Sequence, residues 1–104
     1  MKQKIRTIDI QAKEWFDKTY GNSYFSAIVT INYGMDDEIT VPLHFQYGYG
    51  DTYRHIAFRE LQKRDLIQLD ENEVFWNYCD KNNIVLRCSK QERCLKREVV
   101  RFTA

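Results

Sequence analysis

The first half of the chain alternates between apolar and polar residues with the period of strands. Ile8, Ile10 and Ala12 stand between Asp9, Gln11 and Lys13, which predicts a strand with one buried face. Trp15 and Phe16 interrupt that alternation and mark a bulge or the strand's end. Lys18 to Ser23 then supply a turn, with Gly21 and Asn22 where positive φ is cheap. A second strand sets Phe25, Ala27, Val29, Ile31 and Tyr33 on one face, and Tyr24, Ser26, Thr30 and Asn32 on the other. After the polar reversal Gly34-Met35-Asp36-Asp37, a third strand sets Ile39, Val41, Leu43, Phe45 and Tyr47 against Glu38, Thr40, Pro42, His44 and Gln46. Pro42 has no amide hydrogen for a ladder, so this strand lies at an edge or is bulged. Together these strands predict an antiparallel meander with one oily face that must be covered.

The period then changes. Gly48 and Gly50 form a corner that allows positive φ, and Asp51 sits at the N-cap of a helix whose stripe is Tyr53, Ile56, Ala57 and Leu61. A second helix starts in the acidic run Asp70-Glu71-Asn72-Glu73, buries Val74, Phe75, Tyr78 and Cys79, and exits at Asn82-Asn83. Residues 84–88 read as a fourth, more buried strand. In the last segment Ser89 with Glu92 fits a capping box, and Cys94, Leu95, Glu98 and Val99 fit helical spacing. The strand propensity of Val99-Val100-Arg101-Phe102 favours a turn and a final strand instead. The predicted fold is a single α+β domain over residues 1–104. It is an antiparallel β-meander followed by two helices and one or two further strands, with the helices packed on one sheet face.

Composition changes the picture only in places. Hydrophobic content of 43% and charged content of 30% are ordinary for a globular chain, but 14% aromatic residues, seven of them tyrosines, is high. A net charge of +1 argues against an acidic nucleic-acid mimic and gives no global attraction to nucleic acid. No apolar run has the length of a signal or membrane span, and three cysteines cannot all pair within one chain, so a reducing cytoplasm is expected.

Candidate chemistry is sparse. Cys79, Cys88 and Cys94 contain no C-x-x-C pair, so no metal or other cofactor is expected; Cys79 and Cys88 read as buried and Cys94 as a partly exposed thiol. His44 and His55 flank the corner with Asp51 between them, but no nucleophile is spaced to join them, and no catalytic residue is assigned. Neither phosphate-loop pattern is present at the two glycines, and a structural corner whose tyrosines pack on the sheet is favoured over a functional one. The tail is basic, with Arg87, Lys90, Arg93, Lys96, Arg97 and Arg101 against Glu92 and Glu98. The polar face of the meander carries Tyr24, Thr30, Thr40, His44 and Gln46, the make-up of a recognition surface. Candidate partner-binding residues are therefore Tyr24, His44, Gln46, Tyr49, Arg93, Lys96, Arg97 and Arg101.

The runs Lys18-Thr19-Tyr20-Gly21-Asn22-Ser23-Tyr24 and Phe45-Gln46-Tyr47-Gly48-Tyr49-Gly50-Asp51-Thr52-Tyr53 carry a resemblance. The chain resembles small uncharacterised accessory proteins encoded by bacteriophages and prophages, in which a K-x-x-G-N-[ST]-Y turn and a Y-G-Y-G-D corner recur. The likeness covers the N-terminal two-thirds and fades after Leu66. It implies the cytoplasm of a bacterial host and a phage accessory role, such as inhibition of a defence effector in the manner of anti-CRISPR proteins. The expected function is non-enzymatic binding of a host or phage protein, with no membrane partner. The alternative is a nucleic-acid or nucleotide binder that uses the basic C-terminal segment and exposed tyrosines.

Overall fold

The structure, a computed structural model, describes residues 4–69 and 73–104. Three long strands, β1 (Thr7–Asp17), β2 (Asn22–Ile31) and β3 (Ile39–Tyr47), form the antiparallel meander. Two helices follow, α1 (Thr52–Lys63) and α2 (Phe75–Lys81), then β4 (Val85–Gln91) and α3 (Lys96–Phe102). The sheet order is β3-β2-β1-β4, with β4 parallel to β1. The α+β class and the meander are as the alternation requires. Of the acidic run expected to start the second helix, residues 70–72 lie outside the described residues. Glu73 lies ahead of α2, which begins at Phe75 with no acid in its first turn, so that expectation is corrected.

The main core forms on one face of the sheet. Ile8, Ile10 and Ala12 stand across from Ile31, Val29 and Ala27, and these from Ile39, Val41 and Leu43. Tyr53, Ala57, Phe58 and Leu61 of α1 and Phe75 and Cys79 of α2 close over them. Phe58 and Phe75 stack with centroids 4.0 Å apart, which joins the two helices. Both helices predicted by periodicity thus cover the oily face. Asn82-Asn83 is the exit of α2, with Asn83 at φ 57. One polar residue in this region is fully buried: Asn32, at φ 55, accepts from the amides of Arg6 and Thr7 and donates to the Lys4 carbonyl, anchoring the chain's start.

Four further local expectations are corrected. Trp15 and Phe16 do not end the first strand, because both stay in register with β2 through Asp17. Tyr33 falls beyond β2 and is exposed. The fourth strand is not deeply buried, since β4 is an edge strand with alternating exposure. The final segment is a helix, not a strand. A strand added at the rim would lie beside the half-exposed β4 or the proline-bearing β3, whereas α3 packed on the second face of the sheet buries Val99 completely. Ser26, which alternates with Phe25 and Ala27, donates its hydroxyl to the Val99 carbonyl at 2.6 Å.

The glycine corner is structural, by two different mechanisms. Gly50 has φ 61, but Gly48 is not in the left-handed region. A Cβ on Gly48 would stand 2.7 Å from Phe25 Cε1 and 2.9 Å from Thr52 Cγ2. Gly50→Asn is expected to be nearly neutral, because asparagine tolerates the left-handed conformation. Gly48→Ala is expected to cost about 1–3 kcal/mol through overpacking. Urea midpoints of the two variants check the contrast, and equal losses would contradict it.

Candidate functional site

β3 changes face partway along its length. Ala27 pairs with Leu43 but Phe25 pairs with Gln46, so His44 and Phe45 together oppose Ser26. This bulge overturns the expectation that Phe45 and Tyr47 continue the oily face, and it moves Gln46 away from the polar one. Gln46 turns to the Phe25 side and donates to its neighbour's carbonyl, at His44. Phe45 and Tyr47 join Tyr24 and Trp15 on the second face.

The four rings form one cluster. Trp15, Tyr24 and Phe45 form a triangle, with Tyr24 5.6 Å from Trp15 and 5.2 Å from Phe45 and those two 6.3 Å apart, and Tyr47 meets Tyr24 edge-on at 5.9 Å. Tyr24 is therefore half-buried and not a free surface tyrosine. α3 lies beside the cluster. Lys96 stands 5.4 Å from the Trp15 ring and 6.0 Å from that of Phe45, and Lys13 stands 5.0 Å from Phe102. His44 Nδ1 meets the Thr103 hydroxyl at 3.1 Å, and Glu98 accepts from the Leu95 amide to cap the helix start.

The basic tail divides into two sets. Arg87 forms a two-point pair with Asp9 across the sheet, at 2.6 and 2.9 Å. Lys90 sits 3.3 Å from Glu14 and 3.6 Å from Glu92, and donates to the Gly50 carbonyl at 3.1 Å. It lies 5.8 Å from the Tyr53 ring and so ties the glycine corner to the sheet. These two cations are structural. Arg93, Lys96, Arg97 and Arg101 are exposed and, among the described residues, have no carboxylate partner. Arg97 and Arg101 are four residues apart on the outer side of α3, a like-charge spacing that costs about 0.2–0.5 kcal/mol.

Of the predicted site residues, the structure brings Tyr24, His44 and Lys96 together around the ring cluster, with Arg97 and Arg101 on the same helix as Lys96. Arg93 lies in the loop that leads into α3. Gln46 is on the other face, and Tyr49 is 68% exposed at the glycine corner. Trp15 and Phe45 are central to the cluster and were not anticipated. Their signal was a tryptophan at even spacing from Lys13, hidden by the apparent break at Phe16. His44, Asp51 and His55 do not converge: His55 packs edge-on to Phe75, and Asp51 lies 3.9 Å from Arg54.

The thiols are placed differently from the expectation. Cys94 is buried, with its thiol donating to the Gln91 carbonyl at 3.4 Å, and Cys88 is only half-buried. Burial pushes the Cys79 thiol up to about 11, with Cys88 nearby adding to the shift. Burial also raises Cys88, against the opposing effect of Arg54. Such thiols are poor nucleophiles near neutral pH. Among the described residues no three His, Cys, Asp or Glu side chains are grouped to hold a metal. No helix among them is long and apolar enough to cross a membrane. Compared with family models, with curated proteins and with solved structures, the chain matches none.

The Cys79 shift has a pH consequence. An acid whose folded pKa is raised stabilises the fold below its unfolded value, near 9, and loses that contribution as pH rises toward about 11. Cys79→Val is expected to flatten the alkaline fall of the urea midpoint between those values. An unchanged slope would show that Cys79 does not ionise on unfolding.

Proposed function

We propose that the chain is a non-enzymatic, protein-binding accessory protein that occupies a partner's surface with its α3 face. The observation that carries this reading is four exposed cations that, among the described residues, have no carboxylate partner and accompany an aromatic cluster. Arginine and aromatic side chains are the anchors that dominate protein interfaces. Tyr47 is 59% exposed at the border of the cluster, edge-on to Tyr24.

The same cations would suit a nucleic acid, but base stacking needs free ring faces. Tyr24 is packed against Trp15, Phe45 and Tyr47 and is only partly exposed, and Lys96 lies against Trp15 and Phe45. Protein docking is therefore favoured over single-strand binding. The resemblance of the Lys18–Tyr24 and Phe45–Tyr53 runs to phage accessory proteins supplies the setting: a bacterial cytoplasm, and a host or phage protein as partner. Inhibition of a defence effector, in the anti-CRISPR manner, is the form of that role we favour.

The test is a double variant, Arg97→Glu with Arg101→Glu. Both side chains are exposed, so the circular-dichroism spectrum and urea midpoint should hold. Capture of a partner from bacterial lysate should fall by roughly 30-fold or more, the effect of losing about 2 kcal/mol. Undiminished capture by the double variant would sink the reading. High affinity of the wild type for single-stranded oligonucleotides, falling steeply with salt and lost in the variant, would assign the face to nucleic acid instead.

A further inference from the structure

Beyond the last rung of the β1–β4 ladder, Lys13 with Gln91, the two strands part. β4 ends and the chain turns through Glu92 and Arg93 toward α3, while β1 runs on to Asp17 paired only with β2. Backbone direction alternates along a strand, so the groups this leaves open can be named. The Arg6 carbonyl accepts from Val85, and the Glu14 carbonyl accepts from Cys94, which puts the even residues of β1 on the β4 side. On the other flank Ser23, opposite Phe16, points its carbonyl to Gly48 of β3. Phe16 therefore presents its N–H and C=O at an open edge, with no hydrogen-bond partner among the described residues.

That edge borders a groove of about 670 Å³ between the end of β1 and the loop before α3. Phe16 and Leu95 are both about half exposed along it. Of the charges that line it, Glu14 and Glu92 are engaged by Lys90, while Lys18 and Arg93 have no carboxylate partner among the described residues. Arg93 is also held at φ 60, a left-handed conformation that costs an arginine about 1–2 kcal/mol. Side chains held this way concentrate where a site needs them.

We propose that this groove takes an extended segment of a partner protein, added as a short strand on β1 at Phe16. An apolar side chain of that segment lies against Phe16 and Leu95, and a carboxylate meets Arg93. The inference deepens the protein-binding reading and rests on it. An open N–H and C=O pair between apolar walls is the arrangement that accepts an added strand. Lys18 and Arg93, the two lining cations without a carboxylate partner among the described residues, favour an acidic segment. The open edge is too short for a second copy of the whole sheet to pair along it.

A display library of random decapeptides, selected on the intact protein, tests this. The enriched peptides are expected to carry Asp or Glu beside an aliphatic or aromatic residue. Their affinity should fall at least about tenfold for Arg93→Gly. Glycine adopts the left-handed conformation freely, so the melting temperature of that variant should hold or rise, which separates binding from folding. Exchange of the Phe16 amide hydrogen, fast in the free protein, should slow in the complex. Peptides that bind Arg93→Gly equally, or leave Phe16 exchange unchanged, overturn the proposal. So does a library with no enrichment, or Phe16 protection that grows with protein concentration alone and so assigns the edge to a second copy. Each of these failures leaves the α3 cations untouched, and the Arg97→Glu, Arg101→Glu variant judges that reading separately.

Discussion

A strand of strict period two must send every second side chain to the same face, and β3 escapes this by one residue. Before the bulge, Ile39, Val41 and Leu43 fill the main core. After it, Phe45 and Tyr47 leave that core for the second face, and Gln46 takes the place beside Phe25. The main core has no room for more at this point, since even a methyl on Gly48 would press on Phe25. The displaced rings become, with Trp15 and Tyr24, the wall along which α3 lies. One inserted residue thus divides the hydrophobic side chains between two layers, and the basic helix is positioned by the second.

Charge pairing does for the tail what the bulge does for the rings. A net charge of +1 suggests nothing to bind, but net charge is a sum and pairing is local. The parallel register sets Arg87 across from Asp9. It also turns Lys90 to the side where Glu14, Gly50 and Tyr53 meet. Those cations hold the edge strand and the glycine corner. The four that follow β4 meet no such acid among the described residues, so a chain balanced as a whole is locally uncompensated around α3.

The meander, both of the first two helices and the exit at Asn83 were legible because each rests on a periodicity that only local geometry must satisfy. The bulge was not. Ile39 to Tyr47 alternate without a flaw in sequence, and the slip arises from pairing with Phe25 and Ala27, which are distant in the chain. The last helix was hidden for a related reason. Val99, Val100 and Phe102 prefer strands, but Val99 finds its burial on the second face of the sheet, over Ser26, and only the tertiary arrangement shows that. The site was legible to the same extent. Arg97 and Arg101 could be named from charge alone, whereas Trp15 and Phe45 required knowing which face each strand presents.

The helix that carries the free cations is also the one least able to stand alone. Seven residues are too few for an isolated helix in water, so α3 exists only as docked. Its hold is the burial of Val99, worth about 1.5–3 kcal/mol, with the Ser26 and His44 hydrogen bonds and the Lys96 and Lys13 ring contacts. A partner that grips Arg97 and Arg101 recognises this docked state and not a released tail. Binding and docking are then linked, and occupancy of the face stabilises the contacts that place Lys96 over the rings. The proposed recognition surface is in this sense made by the second core, and its geometry is only as secure as the hold of Val99 on Ser26.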